Sequence, residues 1–245
     1  MEFENKVALI TGASVGIGRA TAILMAQKGA KLALIDINKE TLDAVKEELL
    51  QYTSDILTFV CDISNEKEVI DTTDKIMALF GKVDILVNNA AIWRIWKPFC
   101  DITTYEWKKF FDINVFGVVY FTKAVLPGML ERKYGRVINV SSIAGVIGNA
   151  NMVNYSATKG AVISMTKALA KETTSKGVTI NSVSPGSVSP SENHDIDYWE
   201  NSELSFAGRT GTDRENAELI CYLASDAAAY ISGQNIQIDG CRKRM

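Results

Sequence analysis

The chain has 245 residues, of which 47% are hydrophobic and 22% charged, so it fits one large globular domain, predicted over residues 1–245, and not a disordered or low-complexity chain. Acidic and basic side chains nearly cancel to a formal net charge of −3, and no basic stretch is present to neutralise a phosphate backbone, which argues against nucleic acid as a partner. Four scattered cysteines and the single His194 offer neither a disulfide framework nor a set of metal ligands, so no metal is expected.

Short apolar runs alternate with longer helical stretches along most of the chain. The predicted strands cover residues 6–11, 31–36, 56–61, 84–87, 136–140, 178–183 and 235–238, and the first five are apolar on both faces. The predicted helices cover residues 17–28, 39–51, 66–80, about 104–130, 152–174 and 213–225. This rhythm predicts an α/β fold with a Rossmann-like, doubly wound parallel sheet of about seven strands and helices on both faces. Residues 186–206 lack periodicity and are expected to form a substrate loop.

The predicted helices 104–130 and 152–174 are apolar around most of their circumference. We expect a second subunit to cover the excess, giving a homo-oligomer that is a tetramer or a dimer, with a thick monomeric core as the alternative. No apolar run approaches the roughly 20 residues that span a bilayer, and Glu2 and Glu4 stand where a secretion signal would be basic. No membrane partner and a cytoplasmic location are therefore expected.

A glycine-rich turn follows the first strand and opens a helix. Glycines at these positions let a pyrophosphate approach backbone N–H groups at the positive end of a helix. Such a motif predicts dinucleotide binding when a carboxylate ends the next strand, as Asp36 does here. The predicted contacts from the turn are Gly12, Ser14, Gly16, Ile17 and Gly18.

Asp36 also bears on which dinucleotide binds. Its carboxylate can hold both ribose hydroxyls and would repel a 2′-phosphate. Neither Val15 nor Ile37, which is itself a predicted contact, offers a compensating positive charge, so NAD(H) is the predicted cofactor over NADP(H). The alternative is that Asp36 only caps the next helix.

Further cofactor contacts are expected at the same edge of the sheet. Asp62 and Ile63 follow the third strand and are predicted to contact adenine, although Asp62 could equally cap a turn. Asn89 and Ala90 follow the fourth strand, where doubly wound sheets bind ligands; the alternative is an ordinary polar turn.

The chemical centre is predicted at Ser142, Tyr155 and Lys159. Tyr155 and Lys159 are four residues apart, so they share one face of a helix. An ammonium beside a phenol lowers the phenol pKa from about 10, and the phenol then exchanges a proton with an alcohol or carbonyl oxygen.

With these residues the sequence resembles the short-chain dehydrogenase/reductase family in its ordinary-length, NAD-type subgroup. The matching positions are Thr11 to Gly18, Asn88 to Ala90, Asn114, Ser142, Tyr155, Lys159, Pro185, Gly186 and the late segments around 208–209, 223–226, 231–233 and 238–240. The resemblance implies that Tyr155 is the general acid/base and that Ser142 binds the substrate oxygen. It implies that Lys159 holds the nicotinamide ribose and lowers the pKa of Tyr155, and that Asn114 positions a water that relays protons. Tyr155 and Lys159 also count among the predicted cofactor contacts.

The chain departs from the family pattern after the sixth strand. The family places a threonine that touches the nicotinamide carboxamide where this chain has Pro190, and the expected substitute is the Val188 backbone, Ser189 or Ser191. Ala91 also replaces the usual glycine of the fourth-strand motif.

The expected substrate pocket is rich in aromatic and apolar residues. It comprises Trp93, Trp96, Ala144, Asn149 and Met152. Such a lining favours an apolar or cyclic secondary alcohol or ketone, for example a hydroxysteroid-like molecule, as the small-molecule partner. The alternatives are a 3-oxoacyl-carrier-protein reductase and, from another class, a catalytically silent nucleotide-binding scaffold.

Overall fold

The computed structural model describes residues 2–189 and 203–243. Seven parallel strands form its main sheet, in the order β3-β2-β1-β4-β5-β6-β9. They are β1 (Val7–Thr11), β2 (Lys31–Asp36), β3 (Ile56–Val60), β4 (Ile85–Asn88), β5 (Gly135–Val140), β6 (Val178–Pro185) and β9 (Asn235–Ile238). The Rossmann-like, doubly wound α/β fold predicted from the sequence is confirmed.

The central strands are buried because helices cover both sheet faces. Strands β1, β4, β5 and β6 are buried along their whole length. The expectation that the third strand is buried on both faces was wrong, because β3 lies at the sheet edge and Val60 is 52% exposed. The winding direction reverses between β1 and β4, and a ligand crevice is expected beyond the carboxyl ends of these strands.

Eight α-helices connect the described strands. They are α1 (Gly16–Gln27), α2 (Lys39–Leu49), α3 (Glu66–Phe80), α4 (Thr104–Phe111), α5 (Gly117–Arg132), α6 (Ala144–Ile147), α7 (Val153–Thr173) and α8 (Asp213–Ala224). Helices α2, α3, α4 and α8 begin at side-chain caps, supplied by Asn38, Asn65, Thr103 and Thr212. Each cap accepts a hydrogen bond from a backbone N–H that the first turn would otherwise leave unpaired.

Three short features were not predicted. Strands β7 (Val188–Ser189) and β8 (Gly211–Thr212) pair in a separate two-stranded sheet, and α6 is a single turn after β5. The helix predicted over 104–130 is interrupted by a π-helical turn, Asp112–Phe116, between α4 and α5.

The stretch Thr104–Arg132 also corrects the expectation about apolar runs. It is 29 residues long with a mean hydropathy of 1.5 in its best window, enough in length and composition to cross a membrane. The sequence expectation was wrong because residues 113–130 carry only one charged side chain, Lys123. Core helices pass the same test, and Phe110 and Phe121 on this stretch are fully buried.

Candidate active site

The glycine-rich turn between β1 and α1 is shaped for close approach of another group. A Cβ on Gly18 would lie 2.0 Å from the Gly12 carbonyl oxygen, and one on Gly12 would lie 2.8 Å from the Ala90 Cα, so both positions require glycine. Helix α1 follows Val15 with no side-chain cap and no acidic residue in its first turn. Its first N–H groups are therefore open to an anion, in contrast to the capped starts of α2, α3, α4 and α8.

Asp36 is held rigidly beside this turn. Its Oδ2 accepts hydrogen bonds from the Ser14 backbone N–H (3.1 Å) and the Ser14 hydroxyl (2.7 Å), and its Oδ1 accepts from the Asn38 N–H at 3.1 Å. The alternative that Asp36 only caps the next helix fails, because Asn38 is the cap of α2. The carboxylate is thus fixed at the end of β2, next to the turn that would hold a pyrophosphate. Ile37, the other contact expected here, is 68% exposed.

Asn89 supports the glycine turn from the neighbouring strand. Its side-chain amide donates to the carbonyls of Thr11 (3.1 Å) and Gly12 (2.9 Å), while Thr11 Oγ1 accepts from the N–H groups of Asn89 and Ala90. Asn89 was predicted to contact the cofactor, but its side-chain amide donates to the backbone of the glycine turn and holds that turn in place. Thr11 was not predicted as a site residue, although it directly precedes the first glycine of the motif.

Asp62 caps a turn, as its alternative interpretation proposed. Its Oδ1 accepts from the Ser64 N–H (2.9 Å) and the Ser64 hydroxyl (2.7 Å). It also lines a cleft of about 370 Å³ together with Ser64 and α4 residues that include Tyr105. Ile63 is buried and packs against the position of Gly117, where a Cβ would lie 2.6 Å from the Ile63 Cδ1.

Ser142, Tyr155 and Lys159 come together where β5 meets α7. Ser142 follows β5, while Tyr155 and Lys159 lie one turn apart on α7. Lys159 is 3% exposed, and its Nζ donates to the Val140 carbonyl at the end of β5 (2.8 Å). The Nζ lies 5.8 Å from the centre of the Tyr155 ring. One glycine permits this packing, since a Cβ on Gly145 would lie 2.6 Å from the Lys159 carbonyl carbon.

The protonation equilibria differ from the sequence expectation. Burial raises the pKa of the Tyr155 phenol, and a hydrogen bond with the Ser142 side chain opposes that rise. The predicted lowering of the phenol pKa by Lys159 is not found: burial sets the direction of the shift, and the ammonium donates to the Val140 carbonyl. Burial also lowers the pKa of Lys159 itself to about 8.

Asn114 lies in the π-helical turn, fully buried. Its Oδ1 accepts from the Ile92 N–H (2.8 Å), and its Nδ2 donates to the Ile92 carbonyl (2.9 Å) and to Thr158 Oγ1 (3.2 Å). Thr158, which the sequence did not single out, donates in turn to the Tyr155 carbonyl at 2.8 Å. The amide therefore links the segment after β4 to the catalytic helix, and its relay water stays a prediction.

The remaining predicted contacts surround these residues unevenly. Ala144 is buried, and its N–H donates to the Ser142 hydroxyl (3.1 Å). Met152, also buried, directly precedes α7, and the Asn149 N–H donates to the hydroxyl of Ser156, the residue after Tyr155 (3.1 Å). Trp93 and Trp96 are 46% and 65% exposed, and their place in the substrate pocket stays a prediction.

Pro185 ends β6 and leads into the last predicted cofactor segment. The Gly186 N–H donates to the Ile238 carbonyl (3.0 Å), and Val188 begins β7. Pro190 and most of the expected substrate loop 186–206 lie outside the described residues.

The chain is similar to known proteins along almost its whole length. The family model described as short chain dehydrogenase matches residues 6–201. The 3-oxoacyl-[acyl-carrier-protein] reductase FabG of Thermotoga maritima is 37% identical over 243 residues, with 98% of each chain covered. The enzyme of that name from Escherichia coli is 36% identical, with the same coverage.

Two solved structures share the whole architecture. Levodione reductase superposes with a TM-score of 0.91 at 34% identity, covering 97% of each chain. NAD⁺-bound xylitol dehydrogenase superposes with a TM-score of 0.90 at 30% identity, covering 98% of this chain and 100% of that one. The chain therefore belongs to the short-chain dehydrogenase family of nicotinamide-dependent oxidoreductases.

Proposed function

We propose that the protein transfers a hydride between NAD(H) and a ketone or secondary alcohol, with Tyr155 as the proton donor and acceptor. The observation that carries the proposal is the meeting of Ser142, Tyr155 and a buried Lys159 at the carboxyl end of β5. A phenol with a serine hydroxyl beside it can donate a proton to a carbonyl oxygen and recover it from an alcohol.

Each residue has a distinct task in this proposal. Tyr155 holds its proton at neutral pH, since burial raises its pKa, and this is the form that protonates a ketone oxygen. Ser142 donates a hydrogen bond to the same oxygen. Lys159, with a pKa of about 8, carries a positive charge at neutral pH, 5.8 Å from the centre of the Tyr155 ring, and would hold the nicotinamide ribose.

The residues of the glycine turn fit a dinucleotide. The uncapped α1 start and the glycines would hold a pyrophosphate, and the Asp36 carboxylate, fixed by Ser14, would accept hydrogen bonds from ribose hydroxyls. A bound nicotinamide supplies or accepts the hydride. The negative charge of Asp36 supports NAD(H) over NADP(H), because it would repel a 2′-phosphate.

For the substrate, we propose a 3-oxoacyl thioester first. Relatives named 3-oxoacyl-[acyl-carrier-protein] reductase cover almost the whole chain at 36–38% identity. The hydroxysteroid-like substrate inferred from the tryptophans has less support, since Trp93 and Trp96 lie exposed. A smaller cyclic ketone is the second candidate, because levodione reductase shares the architecture and exposed tryptophans can still stack on a ring.

We also propose that the protein is a cytoplasmic homo-oligomer, a tetramer or a dimer. The exposed apolar surface on the π-helical turn and α7 supports the assembly, since Phe116 and Val153 are 44% and 36% exposed in the single chain.

A substrate panel with Tyr155→Phe tests the proposal. Loss of NADH absorbance is followed with a 3-oxoacyl thioester, a cyclic diketone and a steroid ketone, each repeated with NADPH. We expect turnover with NADH, and a fall of about 10²-fold or more in kcat for Tyr155→Phe, because the phenol supplies the proton.

Tyr230→Phe is the matched control, because its ring is fully exposed and distant in sequence from the site. Near-normal turnover by Tyr155→Phe would refute the role of the phenol. Tight NADH binding with no turnover on any substrate would favour the catalytically silent scaffold, and a strong NADPH preference would refute the interpretation of Asp36.

A further inference from the structure

The C-terminal residues 240–243 are fastened to residues 204–207. The Phe206 N–H donates to the Cys241 carbonyl (2.9 Å), and the Lys243 N–H donates to the Leu204 carbonyl (2.9 Å). Between these bonds, Ser205 and Arg242 form an antiparallel bridge. This short ladder fixes the backbone of Arg242 beyond the end of β9.

From this position the Arg242 side chain reaches the cofactor segment after β6. Its Nη1 donates to the Ser187 hydroxyl oxygen at 3.2 Å. Its Nε is buried and has no hydrogen-bond partner among residues 2–189 and 203–243. A buried donor without a partner lowers stability, so the unpaired Nε partly offsets what the bond from Nη1 to Ser187 contributes to folding.

Ser187 stands between Gly186 and Val188, two of the predicted cofactor contacts. Its carbonyl accepts from the Gly211 N–H (2.9 Å), which ties the segment to β8. Its side chain is held separately by Arg242. The backbone of residues 186–188 is thus anchored from two sides, and one of these anchors comes from the end of the chain.

We propose that Arg242 is a positioning residue for the cofactor. By holding the Ser187 hydroxyl, it sets the orientation of the Gly186 and Val188 backbone toward the nicotinamide. The inference rests on the proposed function and on the family resemblance, which implies that the segment after β6 contacts the nicotinamide. Arg242 acts through Ser187 and touches neither the substrate nor the reacting atoms.

The test compares NADH affinity in Arg242→Met, Ser187→Ala and the double variant. We expect each single variant to raise the Kd for NADH roughly tenfold, the effect of one charge-assisted hydrogen bond, and to raise KM for NADH with little change in kcat. The double variant is expected to bind no more weakly than either single variant, because both remove the same interaction. Lys243→Met is the control, since it removes a neighbouring cation that does not contact Ser187.

Thermal unfolding of every variant separates positioning from folding. Arg242→Met is expected to unfold at nearly the wild-type temperature. If Arg242→Met is unstable, Ser187→Ala still tests the positioning role, because it removes only one hydroxyl. Wild-type NADH affinity in Ser187→Ala, or additive losses in the double variant, would overturn this inference alone. Failure of the unaltered protein to bind NADH would overturn the proposed function and this inference with it.

Discussion

The buried Lys159 lowers the free energy of unfolding at neutral pH. Its cation is buried, and its pKa of about 8, against an ordinary 10.5, means that folding disfavours the charged form. Below pH 8 the folded protein must bury the charge. Between pH 8 and 10.5 the folded state has lost the proton that the unfolded state still holds, so stability recovers as pH rises. The lysine therefore serves the site at the expense of the fold.

Lys159→Met is expected to raise the free energy of unfolding at pH 7 while abolishing turnover, because it removes a buried cation and the side chain proposed to hold the nicotinamide ribose. The gain over wild type should shrink as pH rises from about 8 toward 10.5. Urea unfolding across that range measures it, with Lys167→Met, an exposed lysine on the same helix, as control. A less stable Lys159→Met at pH 7 would mean that the bond to Val140 outweighs the burial cost.

At the scale of elements, the prediction from sequence succeeded where burial leaves a pattern. Strands such as β2 are buried between helices, so their continuous apolar runs reveal both type and bounds. The pair β7 and β8 and the single turn α6 are too short to show any period. The π-helical turn was invisible for another reason, since one extra residue within an apolar helix scarcely changes its pattern.

The candidate site could likewise be predicted from the sequence only in part. Helix geometry alone predicted that Tyr155 and Lys159 lie together, because it sets the distance between residues four apart, whereas Ser142 was selected by its resemblance to the family pattern. The direction of the Tyr155 pKa shift could not be predicted, since it depends on how much water the surrounding side chains exclude. The role of Asn89 in holding the glycine turn was hidden likewise, because it depends on the register between β1 and β4.

The Thr158 hydroxyl on α7 accepts a hydrogen bond from Asn114 and so joins that helix to the π-helical turn. Thr158→Val keeps the shape but leaves the buried Asn114 amide one acceptor short, so we expect a loss of about 1–3 kcal/mol in the free energy of unfolding. Thr158→Ser retains the hydroxyl and is expected to lose less. Urea denaturation of the two variants measures the difference, and equal losses would show that the methyl group, not the hydrogen bond, stabilises this junction.

At the scale of the whole molecule, the apolar surface that the single chain leaves exposed needs an explanation. Only 39% of the most apolar window within Thr104–Arg132 is buried in the single chain. On it, Phe116 stacks against Tyr120 with ring centres 6.0 Å apart, and Phe116 remains 44% exposed. A second subunit would bury this face at a symmetric interface, where a residue of one protomer meets its partner's equivalent surface.

Phe116→Glu is therefore expected to reduce the assembly to a smaller species, because the substitution places like charges at or near the same interface in both protomers. Light scattering coupled to size exclusion measures the mass of each variant, and the unaltered protein should run as a multiple of its 26.9 kDa chain. Leu79→Glu introduces the same charge at a residue 63% exposed on α3 and is expected to leave the mass unchanged. A monomeric mass for the unaltered protein would instead support the thick monomeric core, and an unchanged mass for Phe116→Glu would move the interface away from this face.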